Sequence, residues 1–156
     1  MLNIVMIGLL FWIFYEDLKD REITLFVMLG LLCLGGYLNL REHLFEIFLM
    51  STLMNVMMVS LVLLILWLYS KVKLKSGLFQ VFGTGDMLFF LFMAVSFPIT
   101  SFLVLFSCSL FFALIFSVVF KKRLTKWVPL AGIQALFLGL IVGANQVFEV
   151  VNLYAF

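Results

Sequence analysis

Residues 87–120 have the sequence MLFFLFMAVSFPITSFLVLFSCSLFFALIFSVVF, without a single charged side chain. One helix crossing of a bilayer takes about 20 apolar residues, so this stretch together with the residues from position 80 onward is long enough for two crossings. Pro98 lies inside it and has no charged neighbour. The stretch therefore predicts two membrane helices, over residues 80–97 and 100–120, that are connected at Pro98.

The whole chain has the composition of a membrane protein. Of its 156 residues, 66% are apolar and 12% are charged, and the mean hydropathy is +1.29. A soluble domain is about 45–50% apolar and about 25% charged, so this chain has too little polar surface to cover its core in water. Its net charge of +2 is too small to suggest nucleic-acid binding. At this length we expect one domain, residues 1–156, embedded in the lipid bilayer.

Charged residues divide the chain into six apolar segments that are candidate membrane helices. The segments are residues 1–18, 23–40, 44–70, 80–97, 100–120 and 127–150. The first is short for a full crossing, so its helix has to continue into the charged residues after it or lie where the bilayer is thin. The segments predict an all-α polytopic membrane protein with about six transmembrane helices in one bundle.

The basic residues predict the orientation of this bundle. All but one of them fall in the first, third and fifth connections, namely Lys19, Arg21, Lys71, Lys73, Lys75, Lys121, Lys122, Arg123 and Lys126. The exception, Arg41, lies in the second connection. Because basic residues are enriched on the cytoplasmic side, we expect the odd-numbered connections inside the cell and both termini outside. The protein is then a multi-pass protein of the plasma membrane.

Asp86 differs from the other acidic residues in its sequence neighbours. It follows Gly83-Thr84-Gly85, and no basic residue lies within ten positions of it. An ionisable group at the membrane boundary is costly and is therefore a candidate functional residue. The two glycines permit a close approach of backbone, such as an extended substrate, or unusual dihedral angles. The alternative is that Asp86 is a charge in the first turn of a helix, where the helix dipole favours it.

Asp17 is predicted to lie on the same membrane face as Asp86, because two spans separate them. Two carboxyl groups at one depth can approach each other in a helix bundle. A close pair does not easily carry two negative charges, so one of the two holds a proton. Such a pair supplies a base that activates water and an acid that protonates a peptide carbonyl.

Three segments resemble motifs of the type IV prepilin and preflagellin peptidases. DLKDREI, residues 17–23, is similar to the first aspartate motif of that family, and GTGD, residues 83–86, to the second motif, after which the GxGD aspartyl proteases are named. KWVPL, residues 126–130, resembles the segment that opens the last helix of the family. The resemblance implies a membrane endopeptidase that removes the short basic leader of pilin-like or archaellin-like precursors at the cytoplasmic membrane interface.

The resemblance also implies the roles of individual residues. Asp17 and Asp86 are the expected catalytic pair, with Gly83 and Gly85 supporting the second motif, and neither a metal nor a cofactor is expected. Asp20 is a rival for the first catalytic position, although the spacing to Ile23 fits the family better from Asp17.

The chain departs from the family pattern at two positions, which bear on substrate preference more than on the reaction. Thr24 stands where many members have proline, and Leu88 stands where a lysine often occurs. The cysteine-bearing cytoplasmic domain of the larger bifunctional enzymes has no counterpart here, so N-methylation of the product is not expected. Cys33 and Cys108 lie in apolar runs, where we expect them to behave as small hydrophobic side chains.

Three further acidic residues flank Asp17 and are candidate contacts for the basic leader, namely Glu16, Asp20 and Glu22. The alternative is that they pair with Lys19 and Arg21 and hold the connection at the membrane surface. In the last span, Gly132, Ala135, Gly139 and Gly143 recur at helical spacing and are interpreted as a stripe for helix packing.

Two other functional classes compete with the prepilin-peptidase interpretation. A presenilin-like GxGD intramembrane protease has its aspartates on consecutive helices, whereas two spans separate them here. A non-catalytic membrane subunit or small transporter predicts a polar path through the bundle, and we expect almost no interior polar groups in spans two, three and five.

Overall fold

A computed structural model describes residues 2–19, 23–74, 83–120, 129–148 and 153–154. Within these ranges the chain is helical and contains no strand. The helices are α1 (Leu2–Lys19), α2 (Leu25–Glu42), α3 (Phe45–Tyr69), α4 (Thr84–Ser96), α5 (Ile99–Val119) and α6 (Leu130–Phe148). A π-helical turn, Ser70–Leu74, continues α3. The prediction of an all-α chain with six helices is confirmed.

Four of these helices are long and apolar enough to cross a membrane, namely α2, α3, α5 and α6. α4 has 13 residues, which makes it shorter than a full crossing. α1 carries Glu16, Asp17 and Lys19 in its last turn, so its apolar part is short as well. The fold therefore supports a membrane protein, and the crossing of the membrane by α1 and α4 stays a prediction.

The connection between α4 and α5 forms where the sequence predicted it. Phe97 has φ −130° and ψ 144°, an extended conformation, because the residue before a proline is disfavoured in a helix. Pro98 follows as the N-cap residue directly before α5, and the Phe102 amide donates to the Pro98 carbonyl over 2.8 Å. The two helices therefore separate at Pro98 with only two residues between them.

The core is rich in phenylalanine and is centred on α4. Phe89, Phe90 and Phe92 are all at most 1% exposed. The Phe90 ring meets the Phe106 ring of α5 edge to face, with 5.0 Å between centroids. In contrast, much of the apolar surface of α3 and α5 faces outward, for example Met57 and Phe111. This outward surface is what a helix in contact with lipid presents.

Small residues let neighbouring helices approach closely, as is usual in membranes, where packing rather than exclusion of water drives association. α1 packs most extensively against α6, and α2 against α4. A Cβ atom on Gly35 of α2 would collide with Ser96 and would lie 2.8 Å from Cε2 of Phe92. Glycine at position 35 therefore permits the close α2–α4 contact.

The expectation of almost no interior polar groups in the second, third and fifth helices is wrong. Asn39, Ser51, Asn55 and Ser109 are all buried. The Asn39 amide of α2 donates to the Val95 carbonyl over 2.9 Å. The Asn55 amide of α3 donates to the carbonyls of Ala94 and Phe97 over 3.0 and 2.8 Å. These carbonyls lie at the end of α4, where a helix leaves acceptors unpaired, so the asparagines stabilise contacts between helices.

Candidate functional site

Asp17 and Asp86 meet at the first turn of α6. The Ile133 amide donates to the Pro129 carbonyl, so α6 begins directly after Pro129. The amides that precede Ile133 in this first turn have no partner within the helix. The Ala131 amide donates to Oδ1 of Asp86 over 2.7 Å, and the Gly132 amide donates to Oδ2 of Asp17 over 2.6 Å. Consecutive backbone amides thus hold the two carboxyl groups side by side.

Asp17 reaches this position because it continues the buried face of α1. Met6, Leu10, Ile13 and Asp17 recur at helical spacing, and all four are buried. The side chain of Asp17 is only 7% exposed. On the α6 side, a Cβ atom at Gly132 would lie 2.8 Å from Oδ2 and 2.9 Å from Cβ of Asp17. The absence of a side chain at position 132 is therefore what gives Asp17 access to the amide.

The Asp86 carboxyl group accepts hydrogen bonds at the beginnings of two helices, α4 and α6. Its Oδ2 atom accepts a hydrogen bond from the Gly83 amide over 3.3 Å, within the first turn of α4. Its Oδ1 atom accepts the bond from Ala131 of α6. The alternative drawn from the sequence, an acidic residue in the first turn of a helix, is thus observed, and the same carboxyl group also reaches the partner helix. Both aspartates lie where helix amides and the helix dipole favour negative charge.

The two motif glycines differ in what they do. A Cβ atom on Gly85 would lie 2.8 Å from Cδ1 of Ile23, so glycine lets the first turn of α4 rest against the residue that precedes α2. Gly83 has φ −68° and ψ 148°, an extended conformation that any residue adopts, so no unusual dihedral angle is needed there. Leu88, which departs from the family pattern, packs against the hydrophobic core.

Glu16 is the one candidate leader contact that lies within the described part of the chain. Its Oε1 atom accepts hydrogen bonds from Nε1 of Trp12 over 2.8 Å and from the Thr24 hydroxyl over 2.9 Å. Its Oε2 atom accepts a bond from the Thr24 amide over 3.0 Å. Asp20, the rival for the first catalytic position, and Glu22 lie outside the described residues.

The KWVPL segment indicates where α6 begins, but it does not reveal that the amides at this beginning hold the two aspartates. Gly132 was assigned to a packing stripe, and the backbone amide of Ala131 has no side-chain pattern that reveals it. Proline directly before an apolar run is typical of a helix start, and unpaired amides follow from that start. The other glycines of the stripe differ in whether they contact a neighbouring helix. Gly139 faces Leu10 of α1, whereas a Cβ atom on Gly143 would meet nothing within 4 Å.

The chemistry available at this site is that of paired carboxyl groups. Among the described residues, no three His, Cys, Asp or Glu side chains form a group that would hold a metal ion. The two aspartates are suited to exchange protons with a bound water and a substrate carbonyl. The same hydrogen bonds also cap α6, so a purely structural role is the competing interpretation.

Comparison of the chain with protein-family models, curated proteins and solved structures gives no significant match. A function is therefore inferred from the geometry of the site together with the motif resemblance.

Proposed function

We propose that the chain is a membrane aspartyl endopeptidase that removes the short basic leader of type IV pilin-like or archaellin-like precursors. The observation that supports this most is the convergence of Asp17 and Asp86, from different helices, on consecutive amides of α6. Both residues belong to the segments that resemble the two aspartate motifs of the prepilin peptidases. The residues and the geometry therefore favour the same pair.

In the proposed reaction, one aspartate is ionised and the other is protonated before substrate binds. The ionised carboxylate takes a proton from a water molecule, whose oxygen attacks the scissile carbonyl carbon. The protonated carboxyl gives its proton to the carbonyl oxygen, forming a neutral tetrahedral intermediate. When the C–N bond breaks, the proton taken from water passes to the leaving amine, and one hydroxyl proton of the intermediate returns to the other aspartate, which restores the starting protonation of the pair. The new carboxyl and amino termini then leave the site.

The first turn of α6 supports this chemistry in two ways. Its amides fix both carboxyl groups in orientation, so little reorganisation is needed when the substrate arrives. Each amide also stabilises negative charge on the oxygen that it contacts, which favours an ionised base in a site of low polarity. The acid and the base therefore have neighbouring positions.

We infer that the aspartate pair faces the cytoplasm. The end of α1, the beginnings of α2, α4 and α6 and the end of α3 all belong to one end of an up-and-down bundle if all six helices cross the membrane. Of the basic residues at helix ends in the described chain, Lys19 and Lys71 belong to this same end and Arg41 belongs to the opposite end. Basic residues favour the cytoplasmic face. A precursor whose basic leader precedes a membrane helix brings its cleavage site to this depth.

The arrangement favours this function over a presenilin-like protease. In that alternative the aspartates lie on consecutive helices, whereas here α2 and α3 come between the helices that carry Asp17 and Asp86. The non-catalytic alternative predicts a polar path through the bundle, whereas the amides of the buried asparagines donate to carbonyls at the end of α4.

The proposal is tested by incubating the purified full chain in lipid nanodiscs with a precursor that has a basic leader and a hydrophobic helix. We expect a product shortened by the leader, with mass spectrometry locating the cut directly before the hydrophobic helix. A precursor whose hydrophobic helix is replaced by a polar sequence is the matched control and is expected to stay intact. No product from the intended precursor, or a cut within its hydrophobic helix, would contradict the proposal.

A further inference from the structure

Glu16 precedes Asp17, and its carboxylate connects two helices. It accepts one hydrogen bond from Trp12, one turn earlier in α1, and two from Thr24, the residue directly before α2. A carboxylate has about four sites that accept hydrogen bonds, and three of them are used within the protein. The end of α1 is thereby fastened to the beginning of α2.

The residue beside Thr24 continues this connection to the second aspartate. Ile23 rests on Gly85, where a Cβ atom on the glycine would lie 2.8 Å from Cδ1 of Ile23. Gly85 is the neighbour of Asp86 in the first turn of α4. The sequence neighbours of both catalytic candidates are therefore joined through the two residues that precede α2.

We propose that Glu16 and Thr24 form a clamp that positions Asp17 relative to Asp86 for the reaction, an inference that rests on the proposed function. The amides of α6 hold the two carboxyl groups from one side. The clamp, consisting of Glu16 and Thr24, connects the end of α1 to the beginning of α2. Ile23, beside Thr24, contacts Gly85 in the first turn of α4. Glu16 is thus a positioning residue rather than a contact for the leader.

The departure of the chain from the family pattern at position 24 agrees with this role. A proline there would have no amide hydrogen and no hydroxyl, so it would lose both bonds to Glu16. Threonine supplies both donors, and the structure uses both of them. Threonine at position 24 therefore has a contact within the protein that proline could not make.

The clamp and a leader contact predict different kinetics. A residue that binds the leader lowers KM, so its removal should raise KM for precursors with basic leaders alone. A positioning residue acts on the transition state, so its loss lowers kcat with little change in KM, whatever the charge of the leader. A hydrogen bond to a charged group corresponds to about tenfold or more in rate when it is used fully.

The experiment compares Glu16→Gln, Thr24→Val, Thr24→Pro and the double variant of Glu16→Gln with Thr24→Val. Thr24→Val keeps the amide donor and removes only the hydroxyl, so we expect kcat to fall about threefold, and about tenfold or more in Thr24→Pro. KM is expected to stay within about twofold of wild type, equally on basic and on neutral leaders. The loss of kcat in the double variant should be smaller than the product of the losses in the two single variants, because both alter the same hydrogen bond.

The matched control is Glu46→Gln, an exposed glutamate in the first turn of α3 at the opposite end of the bundle. It is expected to leave kcat and KM unchanged and to combine independently with Thr24→Val. Hydrogen exchange provides a readout that does not depend on cleavage. In the clamp variants, the Ala131 and Gly132 amides should exchange faster, while amides in the second half of α6 keep their wild-type rates.

The outcomes separate the clamp from the proposed function. A rise in KM confined to basic leaders, with kcat unchanged, would show that Glu16 binds the leader and would overturn the clamp. Wild-type exchange at Ala131 and Gly132 in all clamp variants would also overturn it. If the wild-type chain cleaves and only these results fail, the peptidase proposal stands. If the wild-type chain does not cleave, the exchange measurement still decides whether the clamp exists.

Discussion

At one end of the bundle, carboxyl groups from α1 and α4 accept hydrogen bonds from the first amides of α6. At the other end, amide groups from α2 and α3 donate hydrogen bonds to the last carbonyls of α4. Both contacts pair the open end of one helix with side chains of two neighbours. They differ in charge, since Asn39 and Asn55 are neutral whereas Asp17 and Asp86 can ionise.

The difference in charge helps to distinguish residues that only cap a helix from residues that take part in a reaction. The beginning of a helix is capped by serine, threonine or asparagine about as well as by aspartate. Two aspartates on one helix end bring like charges together, which costs stability when both are ionised. The asparagine end shows that this chain can pair a helix end with neutral groups. Capping of α6 therefore does not require two ionisable side chains. Their presence supports a role in proton transfer.

The largest contrast between the two ends is expected in their exposure to the two sides of the membrane. In a chain without Cys33 and Cys108, a single cysteine at Lys71 should react with a membrane-impermeant reagent only from the cytoplasmic side. A cysteine at Glu42, at the asparagine end, should react only from outside. Permeabilised membranes, in which both positions should react, provide the control. The reverse labelling would place the aspartate pair outside and contradict processing of cytoplasmic leaders.

The next largest effect is expected from a methyl group beside the aspartate pair. Gly132→Ala places a Cβ atom 2.8 Å from a carboxyl oxygen of Asp17, so the side chain has to move away from its amide. We expect at least about a tenfold loss of kcat, with a free energy of unfolding lower by about 1–3 kcal/mol. Gly143→Ala on the same helix meets open space and should be neutral or stabilising by up to about 1 kcal/mol. Equal kinetics of the two variants would mean that the position of Asp17 does not limit the reaction.

A smaller effect on the reaction, and a clear one on stability, is expected at the asparagine end. Asn55→Leu has a similar volume but leaves the carbonyls of Ala94 and Phe97 without their donor. We expect the free energy of unfolding to fall by about 1–3 kcal/mol and Tm to fall by several degrees. At temperatures where the variant stays folded, kcat should be that of wild type. A loss of kcat without a loss of Tm would show that the two ends are coupled.

The helices could be predicted from the sequence because long apolar runs and charged interruptions mark them directly. The predicted segment 44–70 corresponds to Phe45–Tyr69, and 100–120 corresponds to Ile99–Val119. Counting the spans between Asp17 and Asp86 was enough to expect them at one end of the bundle. These inferences need only local hydropathy and the alternation of direction that membrane crossing imposes.

The details of the site could not be predicted in this way, because they depend on atoms that have no distinctive side chain or on partners distant in sequence. Backbone amides hold both carboxyl groups, and the residues that supply them, Ala131 and Gly132, have the composition of an ordinary packing surface. Glu16 was interpreted from its charge and its place beside Asp17, whereas its bonds to Thr24 depend on how α1 meets α2. The buried asparagines were missed for the same reason.

The most direct test of the aspartate pair is the rate of precursor cleavage by Asp17→Asn and Asp86→Asn at saturating precursor. Asparagine keeps an oxygen that accepts the Gly132 or Ala131 amide, so α6 stays capped and Tm should change little. General acid–base catalysis contributes about 10²–10⁴-fold, so each variant should lose at least about 100-fold in kcat, while Asp20→Asn keeps most of the activity. Cleavage near the wild-type rate by both the Asp17 and the Asp86 variant would contradict a catalytic pair and leave the aspartates as caps of α6.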